Sequence, residues 1–292
     1  FKVNMNFNDI IQNYWANLEN KSLPPRHVSK VSKLEFSTLK KAVDNKDINF
    51  VKKIIRRMYI DKEAFILKNS ASKKLKKTVL ELANIYKKKK SSFHKMYDGC
   101  PNFHRVIDKK ITKKYSLFAI KHSFYFYNWN IRTKLEKELK DGVYRHWRYV
   151  KFLAGNGKNK FEKNIPSDGQ IDRLQIVRYP AGGGELRDHV DPRKNQRIVS
   201  GIIMSRLGVD FQKGGFYFKS SKLKKLNIEK QLDEGDAVIF YGSIAHGVDK
   251  VDPDKKLIWN SDKGRWFVGM FVNDSDHVRN RITAKDLTGS VK

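Results

Sequence analysis

The stretch Arg178-Tyr179-Pro180-Ala181-Gly182-Gly183-Gly184-Glu185-Leu186-Arg187-Asp188-His189-Val190-Asp191 organises this chain. A Tyr-Pro pair closes an alternating segment, three glycines turn the backbone, and the return segment ends on His-Val-Asp. Successive residues of an extended strand point to opposite faces, so His189 and Asp191 send two metal-ligand side chains to the same side. By itself His-x-Asp arises often, and a lone His is more often a hydrogen-bonded core or surface residue. The surroundings decide its meaning.

Outward from that stretch, residues 171–273 read as short β segments broken by Gly and Pro, at 173–179, 198–207, 215–218, 237–241 and 265–273. Such spacing argues for a sandwich or barrel rather than alternating βαβ units. In the first segment Leu174 and Ile176 alternate with Arg173, Gln175 and Tyr179. In the last, Trp266, Val268, Met270 and Val272 alternate with Arg265, Phe267 and Phe271. Each therefore has one face to receive helices and one polar inward face, which in a small barrel implies a lined cavity.

Upstream, residues 8–90 carry a helical pattern. Phe50, Val51, Ile54, Ile55 and Met58 form one apolar stripe, and Leu75, Val79, Leu80, Leu82 and Ala83 form another. Residues 115–130 alternate as a strand, with Phe118, Ile120, His122, Phe124 and Phe126 on the core parity and Ala119, Lys121, Ser123, Tyr125 and Tyr127 on the other. Residues 131–153 are helical and basic, and 154–169 form a polar linker. The division expected is a helical region 1–95, a β domain 96–275 with its core at 171–273, and a tail 276–292.

The chain has 292 residues, enough to bury a substantial core, and a net charge of +30. That favours anionic partners, although abundant Lys beside Asn, Ile, Phe and Tyr is also the bias of AT-rich codons. Cys100 is the sole cysteine, so intramolecular disulfides and cysteine metal sites are excluded, in keeping with a reducing cytoplasm. No run reaches the roughly 18 apolar residues of a membrane span, and no signal peptide is legible. A cytoplasmic location is expected. The chain begins on Phe1 rather than Met, so residues are expected ahead of it.

His189, Asp191 and the later His246 give two imidazoles and one carboxylate, a facial triad that leaves half of an octahedral Fe(II) site open. The order of elements resembles the Fe(II)- and 2-oxoglutarate-dependent dioxygenases. The matching elements are Arg178-Tyr179-Pro180, His189-Val190-Asp191, Gly214-Gly215-Phe216-Tyr217-Phe218, Gly235-Asp236-Ala237, His246-Gly247-Val248 and Gly264-Arg265-Trp266. The Tyr-Pro and glycine loop before His-x-Asp is similar to that of prolyl hydroxylases. The resemblance spans about a third of the chain, does not extend to the N-terminal region, and implies a double-stranded β-helix (jelly-roll) core. The N-terminal helices need a surface for their apolar stripes, and the outer face of that core would supply it, which makes the expected fold α+β.

It also implies the chemistry. Fe(II) would be held by His189, Asp191 and His246, and 2-oxoglutarate anchored by Arg265 with Tyr179 beside it. O2 would be consumed and succinate and CO2 released as a substrate is hydroxylated. Lys255, Lys256 and Lys263 are the alternative anchoring cations. The arginines Arg173, Arg178, Arg187, Arg193 and Arg197 crowd the same stretch and suggest a small polar, anionic metabolite, with Arg173, Gln175, Arg187, His104, His122, Tyr125 and Trp129 as candidate substrate contacts. Competing readings are a nucleic-acid alkyl demethylase of the same superfamily, a cupin-like isomerase, and a jelly-roll protein that binds metal without catalysis. No membrane partner is expected.

Overall fold

A computed structural model describes residues 6–194 and 196–288. Thirteen strands join into one curled sheet in the order β1-β2-β10-β7-β12-β5-β4-β6-β11-β8-β9, with β3 added to β4 and β13 to β6. In chain order these are β1 (Lys30–Glu35), β2 (Glu63–Lys68), β3 (Phe103–Ile107), β4 (Ala119–Tyr127), β5 (Gln170–Pro180), β6 (Gly184–Val190) and β7 (Ile198–Ile203). There follow β8 (Gly215–Lys219), β9 (Lys225–Asn227), β10 (Ala237–Tyr241), β11 (His246–Val251), β12 (Gly264–Asp274) and β13 (Lys285–Asp286). β4 is the seam: its first residues pair with β6 and the remainder with β5, so one strand passes from one layer of the jelly roll to the other.

The α+β jelly roll is the architecture expected, with two differences in detail. Residues 1–95 are not wholly helical: β1 and β2 extend the large layer, β2 pairing with β10 from Phe65 to Leu67. The apolar run Ala64-Phe65-Ile66-Leu67 is too short for periodicity to separate a strand from a buried helical turn. β11, which carries His246, is a strand beyond the β segments expected within 171–273, and the extended His-x-Asp segment is β6, with Asp191 just past its end.

Helices α1 (Phe7–Lys21), α2 (Phe36–Asp44), α3 (Ile48–Tyr59), α4 (Lys74–Lys87) and α5 (Lys134–Leu153) cover the outer face of the large layer. Asn6 and Asp47 cap α1 and α3 through their side chains, and a Thr133–Glu136 capping box starts α5. Leu139, Val143, Trp147 and Val150 of α5 and Leu75, Val79 and Leu82 of α4 share one core with Phe124, Phe126, Leu174, Ile176, Val268 and Met270. The alternation read from β5 and β12 thus assigns their outward faces.

α5 is also pinned electrostatically. The fully buried Asp172 of β5 accepts from Tyr144 Oη (2.9 Å), Trp147 Nε1 (3.0 Å) and Lys151 Nζ (2.9 Å). Removing one member of a buried ion pair strands the other, which costs about 3–5 kcal/mol. Lys151→Met is therefore expected to lower the urea unfolding free energy by about that amount, and Lys151→Met with Asp172→Asn by much less. Equal losses in the two variants would contradict this account.

Candidate active site

Strand pairing assembles the metal-ligand trio. His246 of β11 is the register partner of His189 of β6, and Asp191 follows two residues past His189, its backbone N–H held by Gly242 O at 2.9 Å. Asp191 Oδ2 lies 3.4 Å from His246 Nε2 and 4.0 Å from His189 Nε2, and the ligand atoms of the trio all lie within 4.8 Å of one another. His189 Nδ1 is 2.9 Å from Arg187 O, and His246 Nδ1 is 2.9 Å from Ile244 O. A carbonyl can only accept, so both imidazoles carry their proton on Nδ1 and turn the Nε2 lone pair to the common point. The residues fit a divalent metal.

Burial, reinforced by the neighbouring His246, lowers the His189 pKa to about 4, so this imidazole is neutral at physiological pH as a ligand must be. Burial also lowers His122 to about 2 and His146 to about 3. Each folded value lies below the unfolded value of 6.5, so stability present above that pH is lost as pH falls toward the folded values. The loss approaches roughly 1.4 kcal/mol per pH unit for each such histidine. The metal-free protein should thus weaken between pH 6.5 and 4, and His146→Gln should flatten the slope of a urea-midpoint titration. A midpoint that stays constant over this range would refute it.

The trio opens into a cavity of about 430 Å³ that runs between the two layers. The inward parity of β5 lines it in sequence: Arg173, Gln175, Val177 and Tyr179. On β12, Arg265 is the register partner of Tyr179 and Phe271 that of Arg173. Arg265 and Tyr179 therefore mark one end and Arg173 the other, six residues apart or about 20 Å along the strand.

Arg265 is buried and its Nε donates to Glu229 Oε2 at 2.9 Å, while the same oxygen accepts from Phe216 N at 2.7 Å. A Cβ on Gly215 would lie 2.6 Å from Glu229, and Gly215 has φ +110°, so this glycine is what lets the carboxylate in. Glu229 neutralises Arg265 and fixes its plane, and the terminal guanidinium nitrogens remain for the cavity. Burial holds the Tyr179 phenol protonated well above its ordinary range. Lys255, Lys256 and Lys263 are exposed and none lines the cavity; Lys255 pairs with Asp252 at 2.8 Å.

Of the expected substrate contacts, Arg173, Gln175 and Tyr125 line the cavity. His104, His122, Trp129 and Arg187 do not. His104 and His122 are on the helix side, their Nδ1 and Nε2 2.7 Å apart, with His104 Nε2 donating to Lys89 O. Their side chains follow the outward parity of β4 and its partner strand β3. Trp129 stacks outside on Tyr127 and donates to Cys100 O. Arg187 shares the parity of His189, but a bulge lies between His189 and Leu186: Gly247 of β11 faces two residues of β6, Arg187 and Asp188. The extra residue exchanges the faces, so Leu186 lines the cavity while Arg187 lies over Phe118.

The other arginines of the expected cluster are also accounted for elsewhere. Arg178 is fully buried on the helix side and donates to Trp259 O (2.7 Å), fastening residues 252–263 to the sheet. Arg197 forks onto Glu19 of α1, and Arg193 is exposed and lines no part of the cavity. Conversely, Lys121, Gln196 and Asn273 line the cavity, as do Asp276 and Arg281 of the tail. Lys121 sat on the inward parity of its strand, the one signal that pointed to it. Burial, then Arg173, lowers its pKa to about 8 against the pull of Asp191. The tail carried no pattern; β13 reaches the site by pairing with β6, Asp286 opposite His189.

Fold and trio together define a jelly roll with a candidate metal site. No protein-family model and no curated protein matches the chain. Among solved structures, a full-length Neurospora crassa protein in complex with alpha-KG and thymine aligns over 85% of this chain and 86% of its own, with 15% identity and a TM-score of 0.52. A Pseudomonas putida prolyl-4-hydroxylase aligns over 72% of this chain and 91% of its own, with 8% identity and a TM-score of 0.44. The chain shares its fold with the alpha-KG-bound Neurospora crassa protein. Among the described residues no helix is long and apolar enough to cross a membrane.

Proposed function

We propose that this chain is an Fe(II)- and 2-oxoglutarate-dependent dioxygenase that hydroxylates a small anionic metabolite and releases succinate and CO2. The carrying observation is the trio: two Nε2 atoms, freed by Nδ1–H bonds to carbonyls, and one carboxylate converge on a cavity that also holds a buried arginine. Fe(II) bound there would supply, with O2 and 2-oxoglutarate, the oxidation of an unactivated C–H bond.

The chain's own share is position and environment. His189, Asp191 and His246 would hold the metal at the edge of the cavity. Arg265, held flat by Glu229, presents its terminal nitrogens to the distal carboxylate of the cosubstrate, a planar and bidentate match. Tyr179 is the register partner of Arg265 and, kept protonated by burial, donates from its hydroxyl to the same cosubstrate. Phe216, Val238 and Ile203 line the cavity with apolar surface and exclude water. Arg173 and Lys121 support an anionic substrate.

The test is substrate-stimulated succinate formation by the Fe(II)-loaded protein, across anionic metabolites and their neutral esters or dephosphorylated analogues. Stimulation restricted to the anions is expected. Stoichiometric metal with no turnover of 2-oxoglutarate under any condition would return the chain to a non-enzymatic metal-binding role. Oligonucleotide binding that weakens steeply with salt, together with turnover on alkylated bases, would favour the demethylase reading.

A further inference from the structure

The end of the cavity opposite Arg265 is built for a ligand that the metal chemistry does not explain. Arg173 makes no ion pair among the described residues: Nη2 donates to Gln175 Oε1 at 3.2 Å, and Gln175 Nε2 in turn donates to Ser123 Oγ at 3.1 Å. This relay across β4 and β5 sets the guanidinium plane, and the rings of Tyr125 and Phe271 lie 5.3 Å and 5.9 Å from it. Arg173 Nε is buried without a partner. Gln196 Nε2 is equally orphaned, while its Oε1 accepts from Val272 N, one residue along β12 from Phe271, the register partner of Arg173. Buried donors without acceptors cost about 1–3 kcal/mol each, and both side chains that carry them line the same cavity.

The charge inventory says how much charge that ligand carries. With the metal and the doubly charged 2-oxoglutarate of the proposed function in place, Asp191, Glu229, Asp276 and the cosubstrate offset all but one of the positive charges of the metal, Lys121, Arg173, Arg265 and Arg281. Glu229 and Asp276 are assigned to their partners Arg265 and Arg281. Lys121 forms no ion pair among the described residues, and its charge and that of Arg173 act on each other. About 20 Å of strand separates the Arg173 and Arg265 positions, too far for one small dicarboxylate to engage both.

We infer that the Arg173 end is a carboxylate subsite: Arg173 and Gln196 grip the head group of a monoanionic substrate whose apolar or aromatic body lies along Tyr125 and Phe271, directed toward the metal trio. This rests on the proposed function only for the charge count and for the direction of the body.

The probes are 3-phenylpropanoate, its amide and phenyl phosphate, titrated calorimetrically into the protein loaded with redox-inert Zn(II) and 2-oxoglutarate, and again into the metal-free protein. In both forms the carboxylate should bind at least about tenfold tighter than the amide, the lower end expected of a charge-assisted hydrogen bond. Phenyl phosphate should not exceed the carboxylate in the loaded form. Arg173→Gln should reduce the preference over the amide to within about twofold while leaving 2-oxoglutarate affinity unchanged, and Arg173→Lys should retain part of it. Absence of binding by the carboxylate, equal binding of the amide, or a preference that survives Arg173→Gln would overturn the subsite. Tighter binding of phenyl phosphate would overturn the monoanion assignment. Failure of 2-oxoglutarate itself to bind the Zn(II) form would count against the proposed function, and the metal-free titration would still decide the subsite.

Discussion

His246→Ala should abolish stoichiometric metal binding and, with it, all turnover of 2-oxoglutarate. The Nε2 of His246 is one of the three ligand atoms of the proposed metal site, its Nδ1 is already committed to Ile244 O, and its ring packs against Phe240 and Phe216. Loss of outer partners alone costs about 10–100-fold in metal affinity, so loss of a ligand should exceed a hundredfold. Equilibrium dialysis against Fe(II) under anaerobic conditions, followed by metal analysis, reads the effect directly. Alanine also leaves a cavity beside those rings, so His246→Gln, closer in volume, is the control for folding. If His246→Ala kept one iron per chain and full activity, the trio would be the wrong assignment.

The second large effect is expected at Arg265. Arg265→Ala should raise the 2-oxoglutarate requirement at least about a hundredfold, through loss of a charge-assisted pair worth roughly 3 kcal/mol. The structure adds a consequence. Glu229 is buried against Arg265 at 2.9 Å, so the same substitution strands a buried carboxylate and should cost about 3–5 kcal/mol of stability. Glu229→Gln in the Arg265→Ala background separates the two: it should recover most of the stability and none of the cosubstrate affinity. An unchanged cosubstrate requirement in a folded Arg265→Ala protein would pass the anchor to another cavity cation, with Lys121 the first candidate, because Lys255, Lys256 and Lys263 all lie outside.

Position along a strand was legible wherever alternation held. The inward set Arg173, Gln175 and Tyr179 and the outward set Leu174 and Ile176 came from period-two reading alone, and the cavity and the helix-facing core divide them the same way. Proximity in sequence to the ligand residues misled at Arg187, where one extra residue in β6 exchanges the faces, and a bulge leaves no local mark in composition. His104 shows a different limit, whereas His122 already stood on the core parity of its strand. Aromatic and imidazole side chains serve a pocket or a core equally well, and only the direction of its strand relative to the helices puts His104 in the core.

By itself, the sequence determined the element types over most of the chain and a sandwich or barrel in its C-terminal part, because these rest on short-range periodicity and on turn residues; the jelly roll and the order of ligand-bearing segments followed from the family resemblance. The tertiary structure alone decided that Glu229 neutralises Arg265, that Gln196 and the tail residues Asp276 and Arg281 reach the cavity, and that β1 and β2 join the sheet. Each of these depends on contacts between residues far apart in the chain. Such contacts are fixed when the two layers close, through burial and charge compensation that no local window of sequence contains.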